Sequence, residues 1–277
     1  LALVFLCTLM HYGGRRCLRV VNKVVKKGGS RVCLSILNKH SANMRVVHPA
    51  AMAIIALASV DSKMLVTARL NGTLGTLLQL TRSHATLPRD GLASVLSCLC
   101  SLARGEGNLV HLGKKGAVMV LLEVCARNLR VPNSAALRWV LKVLVQLSGQ
   151  DDNAKDIAKE GGVTLALHAL YEQGASVEIQ RTVLDLIKLL LRTPEGQQQF
   201  AAAGAYEYVV NLLLDSNADK HDAPLLDLVV QLYRFFGVVD LPIGCDNDLS
   251  WAPPEDETPT PPAEAGDDSS ATGDTAS

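Results

Sequence analysis

The stretch LGKKGAVMVLL, residues 112–122, has the residue types of a phosphate-binding loop: two glycines, two lysines and an apolar run able to form a helix. A phosphate cradle of that kind needs four residues between its glycines, then Lys, then a hydroxyl-bearing residue for magnesium. Here Gly107 and Gly113 enclose five residues, and Lys115 stands where Ser or Thr is required. No β-branched strand feeds the stretch, so the nucleotide reading fails on its mechanics.

Other reactive side chains are scattered. The seven histidines, at 11, 40, 48, 84, 111, 168 and 221, show neither H-x-x-E nor H-E-x-x-H spacing, which would bring zinc ligands to one helix face. His168 and Glu172 lie four residues apart, a spacing that a surface i,i+4 pair explains better than a metal. Asp151 and Asp152 fall in a linker before a helix, where they favour its dipole. There is no G-x-S-x-G elbow. The seven cysteines contain no C-x-x-C pair and read as reduced, buried residues of a cytoplasmic or nuclear protein. The chain is therefore expected to carry no catalytic residue, no metal and no cofactor.

Basic side chains are the remaining candidates for a site. Arg15, Arg16, Arg19, Lys23, Lys26 and Lys27 fall within thirteen residues. On a helix, Arg16, Arg19, Lys23 and Lys26 line one face, because they are spaced by three or four. Arg69, Lys114 and Lys115 recur at related places further along. These residues are either a solvated helix surface or an anion-binding face, which stacked repeats would align into a ladder. Residues 1–130 carry 18 Lys or Arg against 4 acids, a net +14, although the whole chain is neutral. Such a field attracts acidic protein partners and speeds their association. Few aromatics interleave with the bases, which disfavours nucleic acid.

The elements that must position these residues repeat along the chain. VNKVVKKGGSRVCLSIL around Gly28 has counterparts around Gly72, Gly116, Gly161 and Gly204, at steps of 44, 44, 45 and 43 residues. A fixed period of 40 to 47 marks armadillo and HEAT solenoids. Each unit reads as a helix, a glycine turn and a long amphipathic helix that cannot bury its apolar face alone. The glycine belongs where the chain leaves one helix at positive φ. Apolar residues at helical spacing, such as Leu137, Val140, Leu141, Leu144, Val145 and Leu147, form wide stripes. A second stripe runs through Val177, Ile179, Val183, Leu184, Leu186, Ile187 and Leu190. Prolines 49, 88, 132, 194 and 224 read as helix starts and loops.

The expected fold is all-α, an armadillo/HEAT-like right-handed solenoid of about five to six repeats over residues 1–240. The opening LALVFLCTLM is too short to cross a bilayer and reads as the last helix of a truncated first repeat, with YGGRR as the next turn. PLLDLVVQLYRFFG would close the array. Residues 244–277 hold nine acids, no base and many prolines, and read as a disordered acidic linker.

GGRR, then KKGGS, VTARLNGTL and NLVHLGKKGAV, in this order and at these separations, resemble the amino-terminal armadillo-like region of the cytosolic carboxypeptidases of types 1 and 4. The resemblance covers about residues 1–200. It implies a parent protein that is a zinc metallocarboxypeptidase removing glutamates from polyglutamylated tubulin and other acidic tails. Its zinc ligands would lie in a downstream catalytic domain, so none is carried over to a residue here. On this reading the chain is a non-catalytic scaffold and a dock for acidic tails. A stand-alone armadillo adaptor that binds a protein in its groove is the alternative. Nuclear import is disfavoured, because Trp139 has Val143 rather than Asn four residues on.

Overall fold

The computed structural model describes residues 14–83, 89–105, 107–132, 134–172 and 176–204, without the side chains of 14–18 and 89. The opening apolar segment, the expected closing helix and the expected linker 244–277 lie outside the described residues. Among the described residues there are thirteen helices and no strand. None of these helices is long and apolar enough to cross a membrane.

The helices come in threes. The first repeat is α1 (Gly14–Lys26), α2 (Gly29–Lys39) and α3 (Met44–Ala58); the second is α4 (Ser62–Leu70), α5 (Thr73–Arg82) and α6 (Arg89–Ala103). The third is α7 (Asn108–Lys114), α8 (Ala117–Asn128) and α9 (Ala135–Leu147). The fourth is α10 (Asp151–Lys159), α11 (Gly162–Glu172) and α12 (Val177–Leu190), and α13 (Pro194–Ala202) begins a fifth. Two helices per unit were expected; three are present, because turn-forming segments such as LRVP, residues 129–132, end the second helix. Local caps restart it. Asn43 accepts a hydrogen bond from the Arg45 amide, and Ser134 from the Leu137 amide, which satisfies donors that a helix start leaves orphaned.

In the first four units the first and second helices meet at a glycine, and a fifth glycine follows α13. Gly28, Gly72, Gly116, Gly161 and Gly204 have φ of 81, 73, 72, 83 and 60°. At Gly116 this left-handed backbone alone demands glycine, since a side chain there would be strained whatever the space. Gly113 is needed for a different reason. A Cβ added there would collide with Asn153 Oδ1 from the next repeat. The GKKG motif is thus a turn and a close approach between repeats.

The core is continuous through the array. Third helix packs on third helix, α3 on α6, α6 on α9 and α9 on α12. The two middle ones, α6 and α9, are flanked by third helices on both sides and also by their own second helices, so their buried face is broader than a single stripe. In α9 the buried set is Ala136, Leu137, Val140, Leu141, Val143, Leu144 and Leu147, while Val145 is half-buried. Val177 is exposed, because as the first residue of α12 it precedes the packed turns. Pro49 lies inside α3 rather than at a helix start. Burial of the flanking Val47, Ala50 and Ala51 outweighs the backbone hydrogen bond that proline removes. Gly14 heads α1 rather than occupying a turn, and Asp151 and Asp152 form the first turn of α10.

Polar side chains tie neighbouring repeats at recurring positions. Asn108 Nδ2 donates to Leu65 O at 3.0 Å and Leu102 O at 2.7 Å. One repeat later Asn153 Nδ2 donates to Leu109 O at 3.1 Å. Both asparagines are buried, and each stands eight residues before its turn glycine. A second pair recurs ten residues after the glycine: Asn38 Nδ2 donates to Asn71 O, and Arg82 Nη2 to Lys115 O. These donors meet carbonyls that the ends of the first helices leave free.

Two substitutions test this construction. Gly116→Val forces a β-branched residue to positive φ and is expected to destabilise by more than about 1 kcal/mol. Asn153→Leu removes the buried amide's hydrogen bond to the Leu109 carbonyl and places a branched apolar side chain where Gly113 approaches, at an expected cost of about 1–3 kcal/mol. Thermal or denaturant melting of each variant measures both. An unchanged Gly116→Val melt contradicts the repeat register.

Candidate functional site

Arg19, Lys23, Lys26 and Lys27 all lie on α1 or its turn and are exposed. Arg15 and Arg16 are on the same helix, with side chains outside the description. The other expected members divide. Lys26 and Lys114 hold the same place relative to their turn glycines, as do Lys27 and Lys115, and Lys114 and Lys115 are exposed. In the repeat between them, Leu70 and Asn71 occupy those places. Arg69 sits one residue earlier, half-buried, with its guanidinium against Gly107. The basic residues thus form two groups, one on the first repeat and one where the second meets the third.

Helix electrostatics supply part of their reason. Lys23 and Lys26, Arg69, His111 and Lys114, and Lys159 each stand in the last turn of a first helix. Cations there complement the negative end of the helix dipole. His111 registers the second group. Burial first, then the charges of Lys115 and Arg69, hold its imidazole below the usual range. None of Arg19, Lys23, Lys26, Lys27, Lys114 and Lys115 enters the ion pairs found among the described residues. Their charge is left to solvent or to a partner.

The third-helix row carries a second constellation, invisible to sequence spacing. Arg138 and Lys142 lie one turn apart on α9 and share Glu178 of α12. Lys142 Nζ is 2.6 Å from Glu178 Oε1, and Arg138 Nη1 is 3.3 Å from Oε2. The Lys142 ammonium also stands over the Trp139 ring, 4.9 Å from its centroid. The Lys142 hydrogen bond first, then the charges of Lys142 and Arg138 against the opposing effect of burial, hold the Glu178 carboxyl below the ordinary range. The Arg138 and Glu178 positions read as isolated surface charges in sequence, because the contact joins residues 36 to 40 apart. Glu172, set beside His168 in the sequence reading, meets Arg130 of the preceding repeat at 3.3 Å.

Cys33, Cys98, Cys100 and Cys125 are buried free thiols; burial pushes Cys125 up to about 12 and Cys98 further in the same direction. A thiol held protonated is inert. Among the described residues no group of three or more His, Cys, Asp and Glu is placed to hold a metal ion.

The family described as "CCP1-like, N-terminal TPR repeats" matches residues 2–235. Cytosolic carboxypeptidase 1 of Xenopus laevis is 25% identical over 228 residues, covering 78% of this chain. The Mus musculus protein of the same name is 27% identical over the same length. The chain spans 18% of the length of these curated relatives. Among solved structures, a designed armadillo repeat protein is similar with a TM-score of 0.66 at 16% identity, over 84% of this chain and 92% of that one. A second designed armadillo repeat protein, solved in complex with the peptide (KR)4, has a TM-score of 0.63 at 16% identity, over 84% of this chain and 91% of its own. Tetratricopeptide repeats have a period of about 34 residues in two helices. The longer period and three helices found here are those of armadillo repeats.

The grouping of Arg69, Lys115 and His111 has a measurable consequence. His111 is expected to titrate below an ordinary histidine, and Arg69→Gln or Lys115→Gln to move it back upward. Because its folded value is depressed, protonation of His111 as pH falls opposes folding. An NMR titration of the ring protons reads the shift directly; an unmoved His111 in both variants would separate it from the two cations.

Proposed function

The chain belongs to the family of CCP1-like N-terminal repeats, and on that premise we propose that it is the non-catalytic repeat region of a cytosolic zinc metallocarboxypeptidase. In this reading the whole enzyme removes glutamates from polyglutamylated tubulin, and zinc sits in a catalytic domain downstream. The repeats act in the cytoplasm as a scaffold and as a dock for acidic tails. The observation that carries the docking role is the exposed α1 row, Arg19, Lys23, Lys26 and Lys27, unengaged by the ion pairs of the described residues. A tail of many glutamates is the complementary ligand. Attraction of this kind governs encounter more than residence. It weakens with salt, because the screening length is about 8 Å at physiological ionic strength.

A second reading is an armadillo adaptor with no enzymatic parent. It is favoured by the similar designed protein that holds a peptide, since a solenoid surface suits extended segments.

Titration of a labelled polyglutamate peptide against the chain tests the docking role. Binding is expected to be weak and to fall between low and physiological salt. Reversing Arg16, Arg19, Lys23 and Lys26 to Glu is expected to lower affinity about tenfold, each exposed charge contributing a few tenths of a kcal/mol. Reversing Lys155, Lys159, Lys188 and Arg192 is expected to change little. Equal affinity for wild type and the first variant leaves the α1 row as a solvated face on a scaffold.

A further inference from the structure

The third-helix row holds a carboxylate between two cations at a place open to solvent. The side chains of Arg138, Lys142 and Glu178 are 43, 36 and 48% exposed, so a carboxylate arriving from outside can reach the same two donors. The site is also pre-positioned. The Trp139 ring backs the Lys142 ammonium, an attraction that keeps a flexible lysine in place. Arg138, one turn away on the same helix, presents a guanidinium to the other oxygen of the carboxylate. Two cations thus face one acid, and the locality keeps a positive excess after Glu178 is counted.

We propose that Arg138, Lys142 and Trp139 form a binding site for a glutamate-rich segment of a partner, with Glu178 occupying that site when no partner is bound. The acidic class of the ligand rests on the function proposed above. The location does not, since α9 and α12 belong to later repeats than the α1 row. The occupant is identified by charge. The two donors already hold a glutamate carboxylate, and the excess positive charge is met only when a second acid joins or replaces it. Glu178 is then an internal competitor. Binding exchanges one exposed ion pair for others of the same kind, which makes affinity modest and selective for ligands with several acids.

The test uses the full chain in a Trp251→Phe background, where Trp139 is the one remaining tryptophan, and a labelled hexaglutamate peptide. Glu178→Gln keeps the shape of the side chain and removes its charge. It is expected to tighten peptide binding about threefold, the scale of one exposed ion pair. Peptide is expected to change Trp139 fluorescence, because a carboxylate exchanging with Glu178 at the Lys142 ammonium alters the charge beside the ring. Arg138→Glu with Lys142→Glu is expected to abolish both the fluorescence change and the gain from Glu178→Gln. Melting curves confirm that the variants remain folded. If reversal of the α1 row leaves affinity unchanged while Glu178→Gln still tightens binding, the α1 dock fails and this site stands. If α1 reversal weakens binding and Glu178→Gln has no effect or weakens it, this site is overturned and the α1 dock stands. No binding to any variant, or a silent Trp139, overturns the proposal as well.

Discussion

Everything in this molecule follows from the inability of one repeat to bury its own apolar surface. A unit of about 44 residues is three short helices, too few to enclose a core. Its third helix is apolar on both flanks, as α9 shows with Leu137, Val140, Val143 and Leu144 all buried. The only way to hide both flanks from water is to place another third helix on each side. Burial at roughly 25 cal/mol per Å2 of apolar surface drives the stacking, and the array grows along one axis. The left-handed glycine turn serves this constraint. It folds the first helix back across the second within two residues, so successive units present the same edge to one another.

Apolar stacking by itself allows neighbouring helices to slide, and the buried asparagines remove that freedom. Asn108 satisfies two carbonyls in different helices, and Asn153 repeats one of those contacts a unit later. A slip of one residue would bury the amide without its partners, and an unpaired buried polar group is more expensive than the net worth of the bond it loses. Gly105 and Gly113 leave room for these amides; a Cβ at either would press on the asparagine side chain. Small residues on one unit and a polar donor on the next are therefore two halves of one device. Asn38 and Arg82 add the same logic at the outer end of the second helices, where they meet carbonyls beside the turn glycines.

Charge follows the architecture in two different ways. Lys and Arg residues at the ends of the first helices of the first four units complement helix dipoles, which places cations at those corners of the array without any ligand being required. On the third-helix row, charges answer one another across repeats, Arg138 and Lys142 of one unit against Glu178 of the next. The first pattern leaves its charge outward. The second is internally paired, yet exposed enough for exchange.

The sequence by itself determined the repeat. Turn glycines at a spacing of 43 to 45 residues mark where backbone φ must be positive, a demand only glycine meets without strain, and so the period is written in residue identity. The stripes along α9 and α12 were equally legible, since burial selects apolar residues at helical spacing. The split into three helices was less so, because Asn43 and Ser134 act as caps only once the flanking segments are seen to leave the helix. Only the tertiary structure decided which polar residues act between repeats. Asn108, Asn153, Arg82 and Glu178 look like ordinary surface residues in sequence, because their partners across repeats lie 33 to 44 positions away and their meaning depends on how two units are seated. Local propensity is carried by neighbours in the chain. A hydrogen bond or an ion pair between repeats is carried by distance in space, which stacking alone fixes.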